Sequence, residues 1–227
     1  MNGWLYLLLI LAFLYFVLVN VILVLSVRRL SEPEPLFQPA SPGNPPADPA
    51  TDPFVAWAEK EGFLPDSRFD FHGIIGSDQP VALDAWISPD RHTVLLRYRF
   101  NDKEWLDIAS SLNDHYPLLT SNFHDALILP QPPNVLIQVF VDMPPADLYQ
   151  EHLKSLNYLT ERFGVTLDKV DKPIIELTVQ ALRKQMAHIR SLPFWYLRGP
   201  AWQLLRGRRY RNRSVIELIE SLPERHQ

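Results

Sequence analysis

Residues 4–27 are apolar in a nearly unbroken run, interrupted only by Asn20 and Ser26. A helix of 24 such residues is about 36 Å long, and a bilayer core of about 30 Å needs about 20. The run predicts a transmembrane helix. A cleavable signal peptide has a shorter apolar region of roughly 7–15 residues behind a basic start. Here Met1, Asn2 and Gly3 carry no basic side chain, and no small-residue cleavage site closes the run. Arg28 and Arg29 follow it directly. The positive-inside rule then leaves the N-terminus outside and the rest of the chain in the cytoplasm.

The pattern changes at residue 31. The stretch 31–53 holds eight prolines and the acids Glu32, Glu34, Asp48 and Asp52, with only Leu36 and Phe37 as large apolar residues. Such composition predicts a disordered spacer that lets the following domain stay near the membrane or swing clear of it. Asp52-Pro53 then reads as an N-cap and first-turn pair for a helix that Gly62 stops.

From there a period of two takes over. Phe69 and Phe71 alternate with Asp70 and His72. Val81, Leu83, Ala85 and Ile87 alternate with Ala82, Asp84, Trp86 and Ser88, and Val94, Leu96, Tyr98 and Phe100 alternate with Leu95, Arg97 and Arg99. Turn residues separate these runs at 76–78, 89–91 and 101–103. The pattern predicts half-buried antiparallel strands in a meander, with residues 105–112 as a further strand or, alternatively, a helix, and residues 135–141 as another strand. Helical spacing replaces it at Leu148, His152, Leu156, Leu159 and Phe163, ended by Gly164. It returns at Ile175, Thr178, Leu182, Met186 and Ile189 behind Asp171 and Pro173. Ser214 and Glu217 form a capping box for a last short helix. Strands first and helices later predict an α+β fold for the soluble domain, residues 54–227.

Composition removes whole classes of chemistry. The 227 residues include no cysteine, so disulfides, thiolate metal sites and cysteine nucleophiles are excluded. Glycine is scarce and no GxGxxG or GxxxxGK loop occurs, which gives no reason to expect a nucleotide cofactor. The seven histidines form neither HxH nor HExxH, and no metal centre is expected. The densest polar cluster lies in 115–125, with His115, Thr120, Ser121, Asn122, His124 and Asp125. Ser121, His124 and Asp125 are the candidates for a hydrolase-like site. No GxSxG elbow exposes the serine, and Ser-x-Asn is also a common device for hydrogen bonding within a turn. His152, on an apolar helical stripe, reads as a core histidine.

The sequence 118–140, LLTSNFHDALILPQPPNVLIQVF, followed by the helix that carries His152, resembles a family of uncharacterised bacterial membrane-associated proteins. The shared features are the Thr120-Ser121 turn, the loop Pro130-Gln131-Pro132-Pro133, the aliphatic strand at 135–140 and the helical histidine; the resemblance spans about residues 54–165. It implies the architecture above and no activity.

Charge is unevenly placed. Residues 54–190 carry 13 basic and 19 acidic side chains, whereas 191–213 carry Arg198, Arg206, Arg208, Arg209, Arg211 and Arg213 and no acid. Trp195, Tyr196 and Trp202 lie among these arginines. Basic residues with interfacial aromatics suit an anionic lipid surface. A protein partner and the domain's own acids are the alternatives. Nucleic acid is disfavoured, because the domain is acidic and carries no nucleic-acid-binding signature. Gly199-Pro200 and Gly207 predict a short helix over about 200–206 rather than one long amphipathic one. The function expected is that of a membrane-tethered, non-enzymatic interaction module.

Overall fold

The computed structural model describes residues 3–41, 48–113, 117–206 and 211–221. The fold is α+β. Helix α1 covers Gly3–Leu30, α2 Pro53–Lys60, α3 Pro145–Phe163 and α4 Ile174–Ser191. A helical run at 199–206, here α5, begins as an α-turn at Gly199–Ala201 and widens into a π-turn at Trp202–Arg206. Helix α6 is Val215–Glu220. The strands are β1 Phe37–Pro39, β2 Leu64–Phe71, β3 Val81–Ile87, β4 Thr93–Phe100, β5 Lys103–Ser110, β6 Leu118–Ser121 and β7 Leu136–Val139.

All seven strands lie in one sheet in chain order. Neighbours are antiparallel from β1 to β6, as the alternating pattern predicts, while β7 runs parallel to β6. A parallel neighbour requires a crossover of a dozen or more residues, and the proline-rich loop 122–135 supplies it. The sheet is therefore mixed rather than a pure meander.

The central strands are buried on both faces. On one, Trp86, Leu95, Leu106 and Ile108 pack against Phe54, Val55 and Ala58 of α2 and Leu148 of α3. On the other, Leu83, Ala85, Ile87, Val94 and Leu96 pack against Val170 and Ile174. Half-buried strands were the expectation for β3 and β4. Asp84 explains why the pattern looked amphipathic: it is buried, and both its oxygens are bound at 2.9 Å, one by Arg68 and one by Arg99. A buried carboxylate needs such partners.

Local signals hold at the helix ends. The Asp52 carboxylate accepts the amide of Phe54, and Ser214 and Glu217 complete the capping box. Gly62 and Gly164 end α2 and α3 with φ of 84° and 63°. On α3, Leu148, His152, Leu156 and Leu159 face inward as spaced, but Phe163 at the last turn is exposed.

Residues 31–41 depart from the expected spacer, whereas 42–47 of the same stretch lie outside the described residues. Leu36 is buried, and β1 adds an edge strand with Phe37 opposite Phe71 and Pro39 opposite Phe69. The Phe37 and Phe71 rings lie 4.8 Å apart. Glu34 forms an ion pair with Arg183 of α4, and Arg29 donates to the carbonyl of His72 at 2.5 Å. Leu36 and Phe37, the two apolar residues of the stretch, are the ones that bind it to the domain.

Candidate functional site

The membrane-like helix and the domain are not separate bodies. Side chains at 3–18 of α1 are exposed all round. Beyond them one face turns inward: Asn20, Leu23 and Val27, spaced three and four apart, are buried. Leu23 and Val27 join Met186 and Ile189 from α4 and Trp202 from α5 in one apolar cluster. Helix α4 bridges the two regions, its first turns packing on the sheet through Ile174 and Leu177 and its last turns on α1.

The arginine-aromatic segment sits at this junction. After α4 the chain reverses at Phe194, an exposed residue with a left-handed φ of 53°. It makes a 3-10 turn at Trp195–Leu197 and enters α5. The Gly199 amide donates to Asn20 Oδ1 at 3.0 Å, and Asn20 Nδ2 donates to the Phe16 carbonyl at 2.8 Å, so the one amide side chain of α1's buried face is matched at both ends. A Cβ on Gly199 would lie 3.0 Å from Val19 Cγ1 and 3.3 Å from the Val19 carbonyl oxygen. Any larger residue would require α1 to give by a few tenths of an ångström, so glycine suits this approach. One turn further on, Tyr15 donates its hydroxyl to Gln203 Oε1 at 2.9 Å.

The residues expected to make contacts divide. Trp202 is 8% exposed and belongs to the apolar cluster, so it anchors the fold rather than facing outward. Trp195 is half-buried against the same cluster and Tyr196 is exposed. Arg198 is half-buried and Arg211 exposed. Arg213 bridges the β7 edge opposite Val139, and its guanidinium donates to the Glu217 carbonyl at 3.4 Å. Arg206 ends the π-turn, while Arg208 and Arg209 lie outside the described residues.

Ser121, His124 and Asp125 do not assemble. Ser121 is fully buried at the end of β6; its Oγ accepts the Phe123 amide and it hydrogen-bonds the Asp107 carboxyl. His124 is exposed, stands edge-on to the Phe123 ring and meets its neighbour Asp125 at 2.8 Å. No imidazole stands between the hydroxyl and its carboxylate, so the relay of a serine hydrolase is not formed. His115 lies outside the described residues.

The carboxyl that sequence reading does not single out is Asp107. Burial pushes it up to about 6, against the hydrogen bonds from Ser121 and Tyr98, and its Oδ1 is enclosed without a hydrogen-bond partner. Tyr98 is stacked on Trp105 at 5.4 Å and Trp105 on Phe123 at 4.6 Å, which walls off this corner. Asp107 stands on the half-buried face of β5, between the buried Leu106 and Ile108, where the alternating pattern marks an ordinary solvated acid.

His152 is also fully buried, and burial drives it down to about 3, a neutral ring. Its Nδ1 lies 2.7 Å from Thr120 Oγ1 and its Nε2 3.1 Å from Ser110 Oγ, which in turn reaches Thr93 Oγ1 at 3.0 Å. Gln138 donates to Thr120 and to the Glu151 carbonyl, and accepts from Ser155 and the Val215 amide. The ring nitrogens and the Gln138 amide are all engaged, so the network fixes β5, β6, β7, α3 and α6 together and leaves no ring nitrogen free for a ligand.

A surface cleft of about 420 Å³ lies between α2 and the start of α3, walled by Phe54, Trp57, Pro144 and Pro145. Arg97 lies in it, held at 2.6 Å by both Asp52 and Glu104 and stacked over Phe54 at 4.6 Å. With two carboxylates already on it, this guanidinium is not a free anion receptor.

These elements define an α+β domain with an N-terminal helix that is long and apolar enough to cross a membrane. No family model matches the chain, and neither a curated protein nor a solved structure is significantly similar to it.

Proposed function

We propose that the chain is a single-pass, membrane-tethered interaction module that holds its domain at a fixed distance and orientation from the bilayer. The observation that carries this reading is the division of α1: sixteen residues, 3–18, exposed on every side although Tyr15 touches Gln203, then a face built into the domain core. A helix apolar on every side needs a partner for its whole circumference, and lipid provides one. The buried last turns then act as a clamp rather than a leash. The domain lies in the cytoplasm, on the side of Arg28 and Arg29. The arginine-rich segment belongs to the same end of the molecule, where anionic headgroups are within reach. The domain presents its surface to a protein partner, and no reaction is assigned to it.

The test uses the full chain. Its lack of cysteine lets a Ser77→Cys variant, with the new thiol half-exposed between the exposed Gly76 and Asp78, report accessibility alone. The expected result is resistance of the protein to alkaline extraction from membranes, with the introduced thiol labelled by an impermeant maleimide only after cells are opened. Release into the alkaline supernatant overturns the anchor. Labelling in intact cells overturns the cytoplasmic placement.

A further inference from the structure

The uncharged residues 199–205, GPAWQLL, are bracketed by Arg198 and Arg206. They run beside α1 from Asn20 back towards Tyr15, that is, away from the domain. The exposed part of α1 at 3–18 is about 24 Å long, less than the about 30 Å hydrocarbon thickness of a bilayer. A lipid slab that covers it therefore extends roughly four residues further, to about Ile22. That depth includes the positions against which α5 packs.

What α5 shows on its outside fits this depth. Outside α1, the large apolar side chains that are well exposed among the described residues are seven, and five of them are Phe194, Tyr196, Leu197, Leu204 and Leu205. Leu205 is 69% exposed and Phe194 67%. They lie on the one segment, 194–205, that packs beside α1, and are not scattered over the domain. The polar groups at the same level are matched within the protein: Tyr15 with Gln203, and Asn20 with the Gly199 amide. The backbone is helical from Gly199 to Arg206, and the Trp202 amide bonds the Arg198 carbonyl at 2.9 Å. Segments immersed in lipid require this internal satisfaction of polar groups.

We infer that 194–205 is a second membrane element, an apolar wedge that enters the cytoplasmic leaflet beside α1, with Leu204 and Leu205 deepest and Arg198 at its shallower end. At that end Arg198 keeps its charge at the headgroups while its stem lies along the wedge. The protein thus holds the bilayer by two elements packed together through Gly199. This rests on the membrane reading of α1.

The experiment is fluorescence quenching on the full chain in vesicles of phosphatidylcholine and phosphatidylglycerol. A bimane label is placed in turn on Leu205→Cys, on Leu14→Cys in α1 and on Ser77→Cys in the domain. Quenching comes either from nitroxide-bearing acyl chains or from iodide in the water. The wedge predicts that the label at 205 behaves like that at 14, quenched by acyl-chain nitroxide and shielded from iodide, while that at 77 does the reverse. A label at 205 open to iodide and untouched by the nitroxide, with 14 still in lipid, overturns the wedge and leaves the anchor standing. A label at 14 that is itself open to iodide overturns both. The same label at Phe194→Cys gives an independent reading of the wedge's shallower end and is expected to respond to nitroxides near the headgroup.

Discussion

Gly199 donates its amide to Asn20 across 179 positions of sequence, and a Cβ on residue 199 would stand 3.0 Å from Val19 Cγ1 and 3.3 Å from the Val19 carbonyl oxygen. The contact joins the membrane-like helix to the C-terminal region of the chain. Gly199→Val forces the added atoms onto Val19 and is expected to part α5 from α1, at a cost of about 1–3 kcal/mol. Asn20→Leu leaves the Gly199 amide buried without an acceptor and costs a similar amount. In the full chain in detergent micelles, a Tyr15→Cys and Gln203→Cys pair is expected to cross-link readily. The cross-link should be lost when Gly199→Val is added, and unfolding should shift to lower denaturant. Unchanged cross-linking would falsify the close approach.

Arg97 joins the β4–β5 hairpin to the cap of α2, 45 residues earlier in sequence. Its guanidinium reaches Asp52 at the cap of α2 and Glu104 on β5, and it covers Phe54. Burial works to raise the Asp52 carboxyl, and Arg97 together with the helix amides more than reverses this, holding it below the ordinary carboxylate value. Arg97→Met is expected to destabilise the domain by about 2–4 kcal/mol, because Asp52 loses its counter-charge in a partly buried site. Adding Asp52→Asn to Arg97→Met should recover part of that loss, since the amide oxygen still caps Phe54. A double-mutant cycle in chemical unfolding measures the coupling; strict additivity of the two substitutions would argue against a shared charge site.

The alternating strands and the capping residues can be read directly, because side-chain period and cap chemistry are local. Residues 81–87 and 93–100 have the spacing, and Ser214 with Glu217 has the pair. The inward face of α1 is not legible in the same way. A run in which almost every residue is apolar has no contrast between faces, and the lone signal is Asn20, three and seven positions before Leu23 and Val27. Asp107 is equally hidden, since a buried acid and a solvated one occupy the same alternating position in a strand. The Ser121, His124 and Asp125 cluster misleads for the converse reason. Neighbours in sequence at the end of a strand point apart, and the carboxyl that Ser121 meets comes from the adjacent strand.

Two buried groups give the domain opposing responses to acid. His152 is neutral when folded, its value lowered by burial from 6.5 to about 3. As pH falls below 6.5 the unfolded chain takes up this proton and the native state does not, so stability drops, by about 2 kcal/mol down to pH 5. Asp107 is raised by burial from 3.8 to about 6. As pH falls through 6 the native state takes up the proton first, so stability rises, by up to about 3 kcal/mol by pH 4. Asp107→Asn is therefore expected to fall in stability more steeply than the parent between pH 6 and 4. His152→Gln is expected to fall less steeply than the parent or to rise. Urea unfolding across pH measures both, and identical slopes in the two variants and the parent would remove the assignment.

The strongest test of the clamp against a leash is removal of the anchor. A flexible tether predicts that the domain unfolds identically with or without residues 1–30. The structure predicts otherwise, because Leu23 and Val27 cover Met186, Ile189 and Trp202, and their loss opens that cluster to water. Fully burying a large apolar side chain is worth about 1.5–3 kcal/mol, and several are uncovered together. The truncated chain is expected to unfold at lower denaturant, to aggregate, or to need detergent. Since a truncation can fail for many reasons, point substitutions in the full chain carry the argument further. Leu23→Ala is expected to cost about 2–4 kcal/mol in unfolding of the domain through the cavity it leaves. Leu14→Ala, nine residues earlier on the same helix but facing outward, should leave domain unfolding unchanged. Equal, small effects of the two substitutions would mean that the helix ends and the domain begins as independent bodies, and that the stand-off from the bilayer is not fixed.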